Sequence, residues 1–105
     1  MSNILTTLEA VIARRRSADP ETSYVAALSA KGRAKMAQKL GEEAVEAVIA
    51  AMANDRQGLT SEAADLVFHL LVLLGDAGIP FSDVLDELER REGTSGLAEK
   101  ASRSD

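Results

Sequence analysis

The stretch "KLGEEAVEAVIAAMA", residues 39–53, sets Glu42, Glu43 and Glu46 inside an alanine-rich apolar run that reads as helix. On a helix, residues three and four apart are neighbours. Glu43 with Glu46, and Glu42 with Glu46, are therefore like-charge pairs costing roughly 0.2–0.5 kcal/mol each. A second acidic pair, Glu62 and Asp65, repeats the i, i+3 spacing in "SEAADLVFHLL". Carried on two successive antiparallel helices, the pairs can face each other so that four oxygen ligands, from Glu43, Glu46, Glu62 and Asp65, converge. Crowded carboxylates raise one another's pKa, so such a cluster stays ionised only with a cation nearby. Oxygen donors without any cysteine favour Mg²⁺, with Mn²⁺ next.

Other readings compete with a metal site. A charged stripe on one helix is ordinarily a solvated face. The odds change here because each stripe is narrow and the rest of each helix is apolar. Lys35, Lys39, Glu42, Glu43 and Glu46 share one side of the first helix, and Glu62, Asp65, His69 and Asp76 share one side of the second. A helix apolar over most of its circumference is expected to be nearly surrounded by protein, its polar stripe lining a cleft. A ferritin-like di-iron site needs Glu-x-x-His, whereas position 68 is Phe and the single histidine, His69, lies four residues after Asp65. His69 reads either as a proton acceptor beside the acids or as a hydrogen-bonded interior histidine.

The elements that must position these residues are helical throughout. Ile4, Leu5, Leu8, Val11 and Ile12 recur at helical spacing over about 3–16, and Asp19-Pro20 ends that helix. A short helix near 23–30 has Ser23 as its cap and Gly32 as its end or kink. A long helix follows over about 32–54. Asn54, Asp55 and Gly58 form a turn, and Thr60 or Ser61 is expected to cap a helix over about 60–77. Gly78 and Pro80 turn the chain again, and Ser82 is expected to cap a last helix over about 83–92. This predicts a single all-α domain over 1–105, a bundle of about four main helices. Residues 1–22 form its N-terminal helix and turn, and 93–105 a Gly- and Ser-containing tail. Two such apolar helices have more greasy surface than the bundle can hide, so a homodimer burying part of Leu66 to Leu74 is expected to complete it.

Aromatic residues make up only 3% of the chain, so the core is built from Ala, Leu, Val and Ile. The net charge of −5, with only Arg14-Arg15-Arg16 and Arg90-Arg91 as basic runs, argues against nucleic acid as a partner. The apolar stretch "LVFHLLVLLG" (66–75) falls short of the ~20 residues that span a bilayer, and Glu9 interrupts what would be a leader. A cytoplasmic location with no membrane partner is the expectation, and the absence of cysteine agrees with it.

The pattern Glu42-Glu43-x-x-Glu46, a gap of fifteen residues, then Glu62-x-x-Asp65 resembles the signature of the all-α NTP pyrophosphohydrolase superfamily, the MazG-like group. With "EAADLVFHLLVLL" and "ELERREGTSGLAEKASR" beside it, the text from about Ser23 to Arg103 is similar to the phosphoribosyl-ATP pyrophosphohydrolase family. The resemblance implies hydrolysis of the α–β phosphoanhydride of phosphoribosyl-ATP, the second step of L-histidine biosynthesis. It also implies Glu43, Glu46, Glu62 and Asp65 as Mg²⁺ ligands, with Glu42 orienting water or a second ion, and it points to a dimer. Positive charge for the phosphates can come from Lys31, Arg33, Lys35, Lys39, Arg90, Arg91 and Lys100. "GTSG" can offer backbone N–H groups and the hydroxyls of Thr94 and Ser95. Two alternatives stand beside it: a house-cleaning enzyme acting on non-standard or deoxy nucleotides through the same acids, and a non-catalytic helical assembly module with a charged seam.

Overall fold

A computed structural model describes residues 3–92, and among them every regular element is a helix: α1 (Ile4–Arg15), α2 (Tyr24–Ala30), α3 (Arg33–Met52), α4 (Arg56–Ala77) and α5 (Phe81–Arg91). The all-α expectation holds. The two longest helices pair closely as a hairpin across Ala53 to Asp55, and α1 packs on α4. Asn54 takes the left-handed conformation (φ 58°) that closes α3, as asparagine does more readily than most residues. Asp55 is then extended, and its carboxylate accepts from the Gly58 N–H at 2.9 Å. The fourth helix therefore begins one turn before Thr60 and Ser61, which lie within it. Asp55 wins as cap because it directly follows the left-handed residue that reverses the chain.

Ser23 caps α2 as expected, accepting from the Ala26 N–H at 3.1 Å. Gly32, at φ 96°, supplies the backbone that lets α3 leave α2 in a new direction. Ser82 does not cap α5. That helix starts at Phe81, after Pro80, and its first N–H donates to the Glu9 carboxylate of α1 at 2.7 Å. A cap supplied from seventy-two residues away leaves no local signature.

The core joins four helices through Ile12, Val25, Leu28, Met36, Leu71 and Val72, with Leu5, Leu8, Phe68, Leu73 and Phe81 packed against it. Asp76 ties the ends of three of them together. Arg16 donates to the Gly75 carbonyl at 2.9 Å and to Asp76 at 3.0 Å, and Arg33 donates to the other Asp76 carboxylate oxygen at 2.7 Å. By length and composition alone α4 could cross a membrane. Its Leu71 and Val72 instead sit in this core and one side of it is acidic, as befits a central bundle helix.

The expectation that α3 is nearly surrounded fails within one chain. Val45, Val48, Ile49 and Met52 are exposed, Met52 at 79%. Exposed apolar side chains remain on other helices too, among them Ile4, Leu85 and Leu88, and within Leu66 to Leu74 the residues Leu71 and Val72 are buried while Val67 is exposed.

No residue of α5 is fully buried, so its attachment rests on the Glu9 contact and on Phe81 packed against the core. Replacing Glu9 by Ala is expected to lower stability by about 1 kcal/mol, the usual worth of a cap. Amide exchange should accelerate in α5 and stay unchanged in α3 and α4. Equal protection of α5 in both proteins would show that the cap does not hold it.

Candidate metal centre

Glu43 lies midway along α3, and Glu62 and Asp65 lie in the first half of α4. Because Asp55 fixes where α4 starts and the hairpin fixes its register, these residues meet: Glu43, Glu62 and Asp65 each bring one carboxylate oxygen within 4.8 Å of the others. Glu43 is buried at 8% exposure, Glu62 half-buried and Asp65 exposed, so the group opens from protein interior to solvent. Glu43 Oε2 and Glu62 Oε2 are shut off from solvent without a hydrogen-bond partner. Carboxylates only accept, so neither can satisfy the other; a proton or a cation must. In the absence of a cation the Glu62 pKa is pushed from 4.5 up to about 7, chiefly by the Glu43 carboxylate beside it, then by burial and by Glu46. Glu46 is thus a close neighbour of Glu62, although it is not one of the three oxygens that converge.

Counter-charge is built in next to the acids. Lys39 Nζ lies 3.3 Å from Glu42 and 3.9 Å from Glu43, and its pKa is raised chiefly by the hydrogen bond with Glu42, with the charges of the surrounding groups adding to it. Glu42 points out to solvent, accepts from Gln38 Nε2 at 2.8 Å, and is held ionised below its usual range by Gln38, then Lys39, with Lys35 contributing. Lys31 ends α2 and is exposed. Arg90 and Arg91 sit on α5, where both pair with Glu87 at 2.8 and 2.9 Å and pull its pKa down to about 2. Thr94, Ser95 and Lys100 lie outside the described residues.

Of the stripe on α4, Asp76 is taken by its two arginines. His69 is buried at 6% exposure. Its Nδ1 meets the Asp65 carbonyl at 2.8 Å and its Nε2 the Tyr24 hydroxyl at 2.8 Å. A carbonyl only accepts, so Nδ1 carries the proton, and in the neutral ring Nε2 accepts from Tyr24. Both nitrogens are occupied, which favours the interior-histidine reading over a free proton acceptor. Tyr24 went unnoticed in the sequence. Its one signal was that it begins a helix right after the Ser23 cap, a place that marks structure more often than a site.

The fold and the acids together define a bundle that can hold a divalent cation between two antiparallel helices, the donor set being all oxygen and two of its buried oxygens unpartnered. Residues 5–92 match the phosphoribosyl-ATP pyrophosphohydrolase family, and the chain belongs to it. Among its relatives, a phosphoribosyl-ATP pyrophosphatase of Rhizorhabdus wittichii is 73% identical over 98% of this chain and 97% of its own. Proteins of the same name from Novosphingobium aromaticivorans and Erythrobacter litoralis are 66% and 60% identical, covering 96% and 98% of this chain and 94% and 99% of their own.

The raised Glu62 pKa has a stability consequence whose sign is fixed. A carboxyl that holds its proton more tightly folded than unfolded favours folding below pH 4.5, and that contribution disappears as pH climbs to about 7. Metal-free protein should therefore lose stability across that window in urea titrations, and Glu62→Gln should lose less. Identical pH profiles for the two proteins would contradict the crowding of these acids.

Proposed function

We infer that the chain hydrolyses phosphoribosyl-ATP at its α–β phosphoanhydride to phosphoribosyl-AMP and pyrophosphate, the second step of L-histidine biosynthesis, in the cytoplasm and with Mg²⁺ at the acidic cluster. One observation carries the reading: three carboxylate oxygens within 4.8 Å, two of their residues each keeping a buried oxygen unpartnered. That arrangement costs stability and repays it only when positive charge enters, as a triphosphate substrate also requires. The family membership and the names of the relatives support the substrate. Nothing in the chain favours a house-cleaning substrate over it, and the buried, unsatisfied acids disfavour a passive charged seam.

Glu43, Glu62 and Asp65 would hold the ion, with Glu46 beside Glu62 as the fourth acid. Bound there, Mg²⁺ would neutralise phosphate oxygens and make a water more acidic. Glu42, ionised and facing solvent, is placed to accept a proton or orient water. Lys39, resting on Glu42 and Glu43, can turn to the phosphates once another cation satisfies those acids. The exposed Val45, Val48, Ile49 and Met52 face would be covered by a second copy of the chain, which makes the working form a homodimer.

Turnover in ¹⁸O-water tests the reaction. Label should enter the phosphoribosyl-AMP phosphate and be absent from pyrophosphate, and Asp65→Asn should reduce kcat at least ~100-fold, as loss of a charge-stabilising group does. Release of orthophosphate, or full activity of Asp65→Asn, would refute it. For the dimer, sedimentation at micromolar concentration should give twice the monomer mass, and Val48→Glu should shift it to monomer. A monomeric parent protein would refute that part alone.

A further inference from the structure

Tyr24 is the only tyrosine in a chain without tryptophan, and it hydrogen-bonds the only histidine. The residue is 52% exposed although its hydroxyl is docked on a buried partner. Its other contacts are aromatic: the His69 ring stands edge-on at a centroid distance of 5.7 Å, and the Phe68 ring lies at 6.2 Å with a 31° tilt. An exposed tyrosine normally samples several rotamers. Here the hydroxyl, bonded at one end, and the two rings packed beside it hold the side chain in one pose. His69 is fixed in turn by the Asp65 carbonyl, so the pose is referred to the backbone of a residue in the acidic cluster. Along α4, His69 lies one turn past Asp65, and along α3 Lys39 lies one turn before Glu43; a turn is about 5.4 Å. Tyr24 hydrogen-bonds His69 and so stands at that end of the cleft, just beyond Asp65.

Resting on the phosphate reading given above, we propose that the Tyr24 ring is the platform on which the purine base of the nucleotide stacks, and that His69 is the positioning residue that keeps the ring in place. A purine offers a flat π-face and needs a rigid apolar surface one phosphate chain away from the charges. A phenol locked by its own hydroxyl supplies this at little entropic cost. The role also accounts for why a buried histidine beside the acids spends both nitrogens on hydrogen bonds.

Because the chain has one tyrosine and no tryptophan, emission excited beyond the phenylalanine absorption band reports this ring alone. With Mg²⁺ present, ATP should change the Tyr24 emission, corrected against free tyrosine amide, and tripolyphosphate, which has no base, should bind without changing it. Tyr24→Leu should weaken ATP binding by roughly tenfold, the usual size of a base–aromatic stack, and leave tripolyphosphate binding as it was. Tyr24→Phe keeps the ring but loses the bond to His69, so its ATP affinity should fall between those of the parent protein and Tyr24→Leu; affinity equal to the parent's would show that His69 does not hold the ring. Calorimetry separates the failures. If both ligands bind but the emission and the Leu variant's affinity for ATP do not change, the platform is wrong and the phosphate site stands. If neither ligand binds with Mg²⁺, the phosphate site fails and the platform with it. Emission that follows protein concentration instead of ATP would place the ring between copies of the chain and overturn the proposal.

Discussion

The pairing of α3 with α4 forces Glu43, Glu62 and Asp65 together against their own repulsion, and much of the rest of the structure is arranged around that strain. Packing supplies the force: Met36 on one helix and Leu71 and Val72 on the other share a core with α1 and α2. Salt bridges at the surface would do little, since exposed pairs contribute about 0–1 kcal/mol. The Asp76 clamp differs because it unites three helix ends, with the carboxylate itself only 19% exposed. It sits well along α4 from the acids, so the hairpin is fastened at the end where no like charges meet. At the acidic end the chain keeps Lys39 as a partial counter-ion, close enough to hold Glu42 but 3.9 Å from Glu43.

What the sequence made legible follows the range of the forces involved. Helical periodicity is local, so the five helices and the acidic spacing could be read directly, and Glu43, Glu62 and Asp65 do meet. Caps are local only when the capping residue is adjacent. Ser23 could be found, whereas Glu9 on the first N–H of α5 could not. Asp55 reads in the sequence as a breaker, because the left-handed turn at Asn54 that makes it a cap is a property of the backbone. Composition shows that apolar residues exceed what the bundle can bury, while only packing shows that Leu71 and Val72 of α4 enter the core and that Val45, Val48 and Ile49 of α3 stay exposed, with Val67 of α4.

The polar stripe on α4 shows how one sequence pattern can hold three different chemistries. Glu62 and Asp65 join the acidic group, His69 turns inward to Tyr24 and to its own helix, and Asp76 binds two arginines. They share one side of the helix, yet each meets a different neighbour: α3 near the start of α4, then Tyr24 of α2, then Arg16 and Arg33 at the ends of α1 and α3. Function in this bundle is therefore assigned by which helix crosses, and a stripe by itself could not apportion it.

Such an arrangement sets stability against chemistry. Replacing one of the converging acids by an amide would relieve repulsion in the metal-free protein, because an amide can donate to the buried oxygen that otherwise has no partner. The same change would remove negative charge that attracts a cation into the cleft. Destabilised, preorganised charge is the usual form in which such sites are kept. The half-buried position of the cluster is a compromise between two demands. Deeper burial would push the acids' pKa values so high that protons would outcompete metal near neutral pH. Full exposure would let water satisfy every oxygen and leave no advantage to the ion.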